Sequence, residues 1–65
     1  MTREDVINAV EDIRMESEDD ERAHSLEDDL YEQVLLAVIN NNPESKEMAK
    51  EALKTKEIKF SRWCA

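Results

Sequence analysis

DERAHSLEDDLYEQVLLAVI, residues Asp20–Ile39, is the stretch on which the fold turns. Ala23, Leu26, Leu30, Val34 and Ala37 recur at three- and four-residue spacing and form one stripe. Tyr31, Leu35 and Val38 form a second stripe beside it. That period belongs to an amphipathic α-helix. From Val34 to Ile39 every residue is apolar, and a helix apolar on all sides is one buried on all sides. The pattern therefore predicts that this end is the centre of a core, or that part of it lies against another chain.

Upstream, Glu16-Ser17-Glu18-Asp19-Asp20-Glu21 contains no apolar residue. It reads as a solvated loop running into an acidic helix start, with Ser17, Asp19 or Asp20 as the cap. Before it, Val6, Ala9, Val10 and Ile13 make another helical stripe, widened by Ile7. Thr2, with Asp5 three residues on, has the form of a capping box. Glu4 and Asp5 suit the positive end of the helix dipole.

Downstream, Asn40-Asn41-Asn42-Pro43 breaks the long helix. Asparagine tolerates the left-handed geometry that ends helices, and Asn42 followed by Pro43 predicts a cap and first helical position. Met48, Ala49, Ala52 and Leu53 then mark the buried face of a third helix. In the tail, Ile58, Phe60 and Trp63 predict a segment that folds back to close the core. The alternative is that Trp63 and its neighbours anchor a partner.

The expected fold is an all-α, small three-helix bundle forming a single domain over 1–65, with helices at about 2–16, 20–39 and 43–55 and a tail at 56–65 that packs back on the core. Composition agrees. The chain has no glycine and one proline, and the better helix formers are abundant. A chain of 65 residues holds a core worth only roughly 3–5 kcal/mol. No apolar run approaches the ~18 residues of a membrane span. The opening Met1-Thr2-Arg3-Glu4-Asp5 enters an amphipathic pattern directly, unlike a signal peptide. A single cysteine, Cys64, rules out an intrachain disulfide and suits a reducing cytoplasm.

Charge is distributed unevenly. Residues 1–32 hold thirteen acids against three bases, a balance of −10, whereas 33–65 hold four acids against six bases, a balance of +2. Three explanations compete: solubility, attraction to a basic protein surface, and imitation of a nucleic-acid backbone by carboxylates on two helices. The front half would repel a polyanion, so direct nucleic-acid binding is not expected. The candidate partner-binding acids are Glu16, Glu18, Asp19, Asp20, Glu21, Glu27, Asp28, Asp29 and Glu32, with Tyr31 and Trp63 as candidate aromatic contacts. Crowding of these carboxylates predicts raised pKa values, and hence greater stability at mildly acidic than at mildly basic pH.

No constellation suggests catalysis or a resident cofactor. His24, with Glu27 and Asp28 at i+3 and i+4, reads as a helix-surface ion pair or a bridge between helices. A weak metal site is the alternative. A structural zinc site needs about four ligands, and His24 and Cys64 are the chain's only histidine and cysteine. Without glycine there is no phosphate-cradling loop. Asp19-Asp20-Glu21 lacks the alternation and central glycine of a calcium loop.

The pattern Asp20-Glu21-x-Ala23-His24-x-x-Glu27-Asp28-x-Leu30-Tyr31-x-x-Val34-Leu35-x-Ala37, with the closing Phe60-x-Arg62-Trp63, resembles small acidic helical proteins of bacteriophages and prophages. The resemblance implies a host-cytoplasmic setting and a host-directed interaction, and it carries over no activity. The reading is of a non-enzymatic protein-binding module, a phage-type regulator or inhibitor that engages a basic protein through its acidic N-terminal half. The alternatives are a DNA-mimic inhibitor and a structural protein that self-associates as a homo-oligomer. Mimicry requires carboxylates along one exposed ridge. Self-association requires Leu36 or Ile39 to be exposed, and an ordinary binder needs a mixed patch.

Overall fold

The computed structural model describes residues 1–62. Among them α1 spans Arg3–Met15, α2 Asp20–Ile39 and α3 Ser45–Ala52, and a 3₁₀ turn covers Leu53–Glu57. The three helices pack against one another pairwise as a small all-α bundle, and no strand forms among the described residues.

Local chemistry sets each boundary. The Thr2 hydroxyl accepts from the Asp5 N–H at 3.2 Å, and the Asp5 carboxylate accepts from the Thr2 N–H at 2.9 Å. This reciprocal box starts α1. Asp19 caps α2, its Oδ1 accepting from the Arg22 N–H at 3.1 Å. At the far end Asn41 turns left-handed, with φ 58°. The Asn42 N–H then reaches the Ala37 carbonyl at 2.9 Å and the Asn41 N–H reaches that of Val38 at 3.1 Å. Those two bonds form a Schellman motif, which satisfies carbonyls the helix end would otherwise orphan.

The third helix begins later than the Asn-Pro pair predicts. Asn42 Oδ1 does accept a backbone bond, from the Glu44 N–H at 2.9 Å. However, Pro43 and Glu44 form a turn, and α3 starts at Ser45. The Asn42 amide also donates to the Met1 carbonyl at 2.9 Å, and Glu44 Oε1 accepts from the Arg3 N–H at 3.2 Å. The turn is therefore spent on tying the start of α1 to the start of α3. At its other end α3 tightens at Ala52 into the 3₁₀ turn.

Val6, Val10 and Ile13 of α1, Leu30 and Val34 of α2, Met48 and Ala52 of α3, and Ile58 of the tail are buried together. Phe60 packs half-buried against them, so the described part of the tail does return to the core. Of the two expectations for the C-terminal end of α2, burial on all sides at the centre of the core is corrected. Leu35, Leu36, Val38 and Ile39 are 64%, 42%, 52% and 72% exposed, and Leu53, expected inside, is 62% exposed. The reason is geometric. Among the described residues α2 packs mainly against α1 and α3, and they cover one side of it.

Candidate binding surface

Two opposed stripes divide α2. Ala23, Glu27, Leu30, Val34 and Ala37 face inward and are all buried. On the opposite side, at the same three- and four-residue spacing, Glu21, Ser25, Asp28, Glu32, Leu35 and Ile39 are all exposed. This outer stripe changes character along its length. Its first half carries carboxylates over roughly 16 Å of helix axis, and its second half is apolar.

The apolar half continues across the α2–α3 junction. Tyr31, Val34 and Leu35 of α2 and Ala49, Ala52 and Leu53 from the α3 side line an open groove of about 340 Å³. Its two banks differ in charge. On the α2 bank stand Asp28 and Glu32. On the other stand Lys50 and Lys56, both exposed, with Lys56 Nζ 5.8 Å from the centre of the Tyr31 ring. Neither lysine forms an ion pair among the described residues. Tyr31 is fixed from below, its hydroxyl 2.6 Å from that of the buried Thr55.

The sequence-derived acids separate into three groups. Glu18, Glu21, Asp29 and Glu32 are exposed. Glu16, Asp19, Asp20 and Asp28 are engaged locally: Glu16 with Arg22 at 3.4 Å, Asp19 in its cap, Asp20 accepting from the Ser61 N–H at 3.0 Å, and Asp28 beside His24 Nε2 at 3.5 Å. Glu27 is a correction. It is only 2% exposed and meets no partner from outside. Arg62 grips both of its oxygens, from Nε at 2.9 Å and Nη2 at 3.0 Å. The same Nη2 donates to the Thr55 carbonyl at 2.8 Å, and the guanidinium lies 3.9 Å from the centre of the Phe60 ring.

Burial opposes ionisation of Glu27. Hydrogen bonds from Arg62 and Thr55, with the charges of Arg62 and Lys56, outweigh it and hold the carboxyl below its usual range. Glu51 is lowered too, chiefly by its hydrogen bond from Lys54, against the penalty of burial. The expectation of raised carboxyls in the front half is thus reversed at Glu27.

His24 is half-buried, and its Nδ1 has no hydrogen-bond partner among the described residues. No group of three or more His, Cys, Asp or Glu side chains among those residues could hold a metal ion. No helix of the described residues is long and apolar enough to cross a membrane. Trp63 and Cys64 lie outside the described residues.

Sequence reasoning missed Leu53 and the groove. It also missed Arg62 as the partner of Glu27, although the spacing of Glu27 from Ala23 and Leu30 places it on the inner stripe. No protein-family model matches the chain, and neither a curated protein nor a solved structure shows significant similarity to it.

Proposed function

We propose that the protein is a non-enzymatic protein-binding module whose docking face is the outer side of α2 together with the α2–α3 groove. One observation carries this reading: Leu35, Ile39 and Leu53 are 64%, 72% and 62% exposed beside a run of carboxylates. Small monomeric proteins seldom leave large apolar side chains clustered in this way unless something covers them. The carboxylates of Glu21, Asp28 and Glu32 would speed encounter with a basic protein surface and set its orientation. The leucines and Tyr31 would supply the desolvated centre. The resemblance to phage and prophage proteins favours a regulator or inhibitor of the protein so bound.

A nucleic-acid mimic is the second reading, favoured by the alignment of Glu21, Asp28 and Glu32 on one ridge. Affinity capture from host extract with the wild-type chain and with Leu35→Glu separates the two. A binding module loses its partner in Leu35→Glu. A mimic keeps it, and DNA competes for that partner. Equal capture by both proteins without DNA competition would refute both readings.

A further inference from the structure

The groove has features that suit one occupant in particular. By helical register its α2 side carries the exposed acids Asp28 and Glu32 and its α3 side the exposed lysines Lys50 and Lys56. Lys56 sits over Tyr31, and Tyr31 itself follows Asp28 by about one helical turn and precedes Glu32 in the sequence. Lys50 lies one turn before Leu53, which shares the groove with Leu35. A basic partner drawn to the outer stripe of α2 would meet like charge from Lys50 and Lys56 if it entered the groove itself. A surface with one acidic and one basic bank at the same spacing would satisfy both, and a second copy of this chain is such a surface.

We propose that the groove is the interface of a two-fold homodimer, in which α2 of each copy lies over α3 and the 3₁₀ turn of the other. The proposal rests on the reading of the groove as a protein-docking surface and names its occupant. With the two-fold axis running along the groove, each α2 bank is carried over the opposite α3 bank at the same level. Asp28 and Glu32 of one copy then face Lys56 and Lys50 of the other, and Leu35 of one faces Leu53 of the other. Each such contact occurs twice, as a two-fold interface requires. Neighbouring helices across the interface run antiparallel, giving a four-helix layer.

A standard interface takes about 800 Å² from each partner, roughly a sixth of this chain's 4570 Å² surface. Leu35, Val38, Ile39 and Leu53, each more than half exposed, supply an apolar centre, and the charged banks supply a polar rim. The carboxylates away from the groove, such as Glu18, Glu21 and Asp29, would remain outside the dimer for another protein.

Sedimentation equilibrium from micromolar to millimolar chain tests this with three proteins: wild type, Leu35→Lys and Leu53→Glu. Both substitutions fall on exposed side chains, and circular dichroism checks that helicity is kept. Wild type is expected to rise from 7.6 kDa towards twice that mass. Each variant alone is expected to stay monomeric, because every interface would hold a charge against leucine. An equimolar mixture is expected to dimerise, since one contact becomes lysine to glutamate and the other remains leucine to leucine. A wild type monomeric at millimolar concentration overturns the proposal. So does a dimerising wild type whose variants also dimerise alone, or whose variant mixture stays monomeric. A monomeric wild type leaves the groove open to a different protein, and that broader reading fails only if Leu35→Glu captures partners as the wild type does.

Discussion

Replacing Arg62 by alanine would leave the Glu27 carboxylate buried at 2% exposure without either of its guanidinium bonds. It would also free the Thr55 carbonyl, which Arg62 serves at 2.8 Å. Removing one partner of a buried ion pair costs about 3–5 kcal/mol. Arg62 keeps 26% of its side chain exposed, which places the cost near ~3 kcal/mol, the low end of that range. A core of this size supplies only roughly 3–5 kcal/mol in all. The midpoint of thermal unfolding should fall by roughly 12–24 °C, at about 4–8 °C per kcal/mol for so small a domain. Urea unfolding followed by circular dichroism would measure the loss for Arg62→Ala, Glu27→Ala and the double variant. Because the two side chains act as one unit, the double variant should lose less than the sum of the singles by about 1 kcal/mol or more. Glu27→Leu in the Arg62→Ala background should recover most of the loss, since it replaces the stranded charge with an apolar side chain on an apolar stripe. A loss under ~1 kcal/mol for Arg62→Ala, or strict additivity, would refute the view that this pair closes the core.

Four further outcomes follow from the same structure. Leu30, 3% exposed, should cost about 2–5 kcal/mol when cut to alanine, unfolding much of the protein in a urea titration. Because the carboxyls of Glu27 and Glu51 are lowered from 4.5, their contribution is fully present above that value and is lost as pH falls through their folded-state values. Thermal melts should therefore weaken under acid, and a chain more stable in strong acid than at neutrality would contradict the pairing. Asp19→Ala should cost about 1 kcal/mol by removing the α2 cap, while Asp19→Asn costs much less. At chain concentrations low enough to keep the wild type monomeric, Leu53→Glu should shift stability by no more than about 0.5 kcal/mol, and a large loss there in the same urea assay would mean that Leu53 belongs to the core.

The bundle was legible because its punctuation is local. The Thr2–Asp5 box, the Asp19 cap and the left-handed Asn41 are each decided within a few residues, and the stripes of α1 and α2 repeat at helical spacing. The start of α3 was misread because Asn42 has two uses. Its side chain makes a capping-type bond to Glu44 and also holds Met1, and only the second depends on tertiary structure. Leu53 was misassigned to the core, and Leu35 and Val38 could be read either way, because hydrophobicity reports a preference for burial and not the presence of a neighbour.

The candidate site was less legible than the fold. Counting acids in the front half treated Glu27 like its neighbours. Yet it stands in the buried register between Ala23 and Leu30, and a charge there requires a counter-charge from elsewhere in the chain. Arg62, 35 residues away, supplies it. Periodicity along α2 could have raised the question, but the identity of the partner depends on where the tail returns. The basic side of the groove was similarly hidden, since Lys56 reaches the Tyr31 ring only once the chain after α3 folds back along α2.

The central claim is that the outer stripe of α2 is a binding face and that its carboxylates do more than keep the chain in solution. Two triple charge reversals test it at equal net charge: Glu21→Lys, Asp28→Lys and Glu32→Lys on the stripe, against Glu4→Lys, Glu47→Lys and Glu57→Lys on exposed positions elsewhere. Affinity capture from host extract should lose its partner with the stripe variant and keep it with the other. Equal loss in both variants would show that only the total charge matters, and equal retention would show that the stripe's carboxylates are not needed; either result would contradict the account.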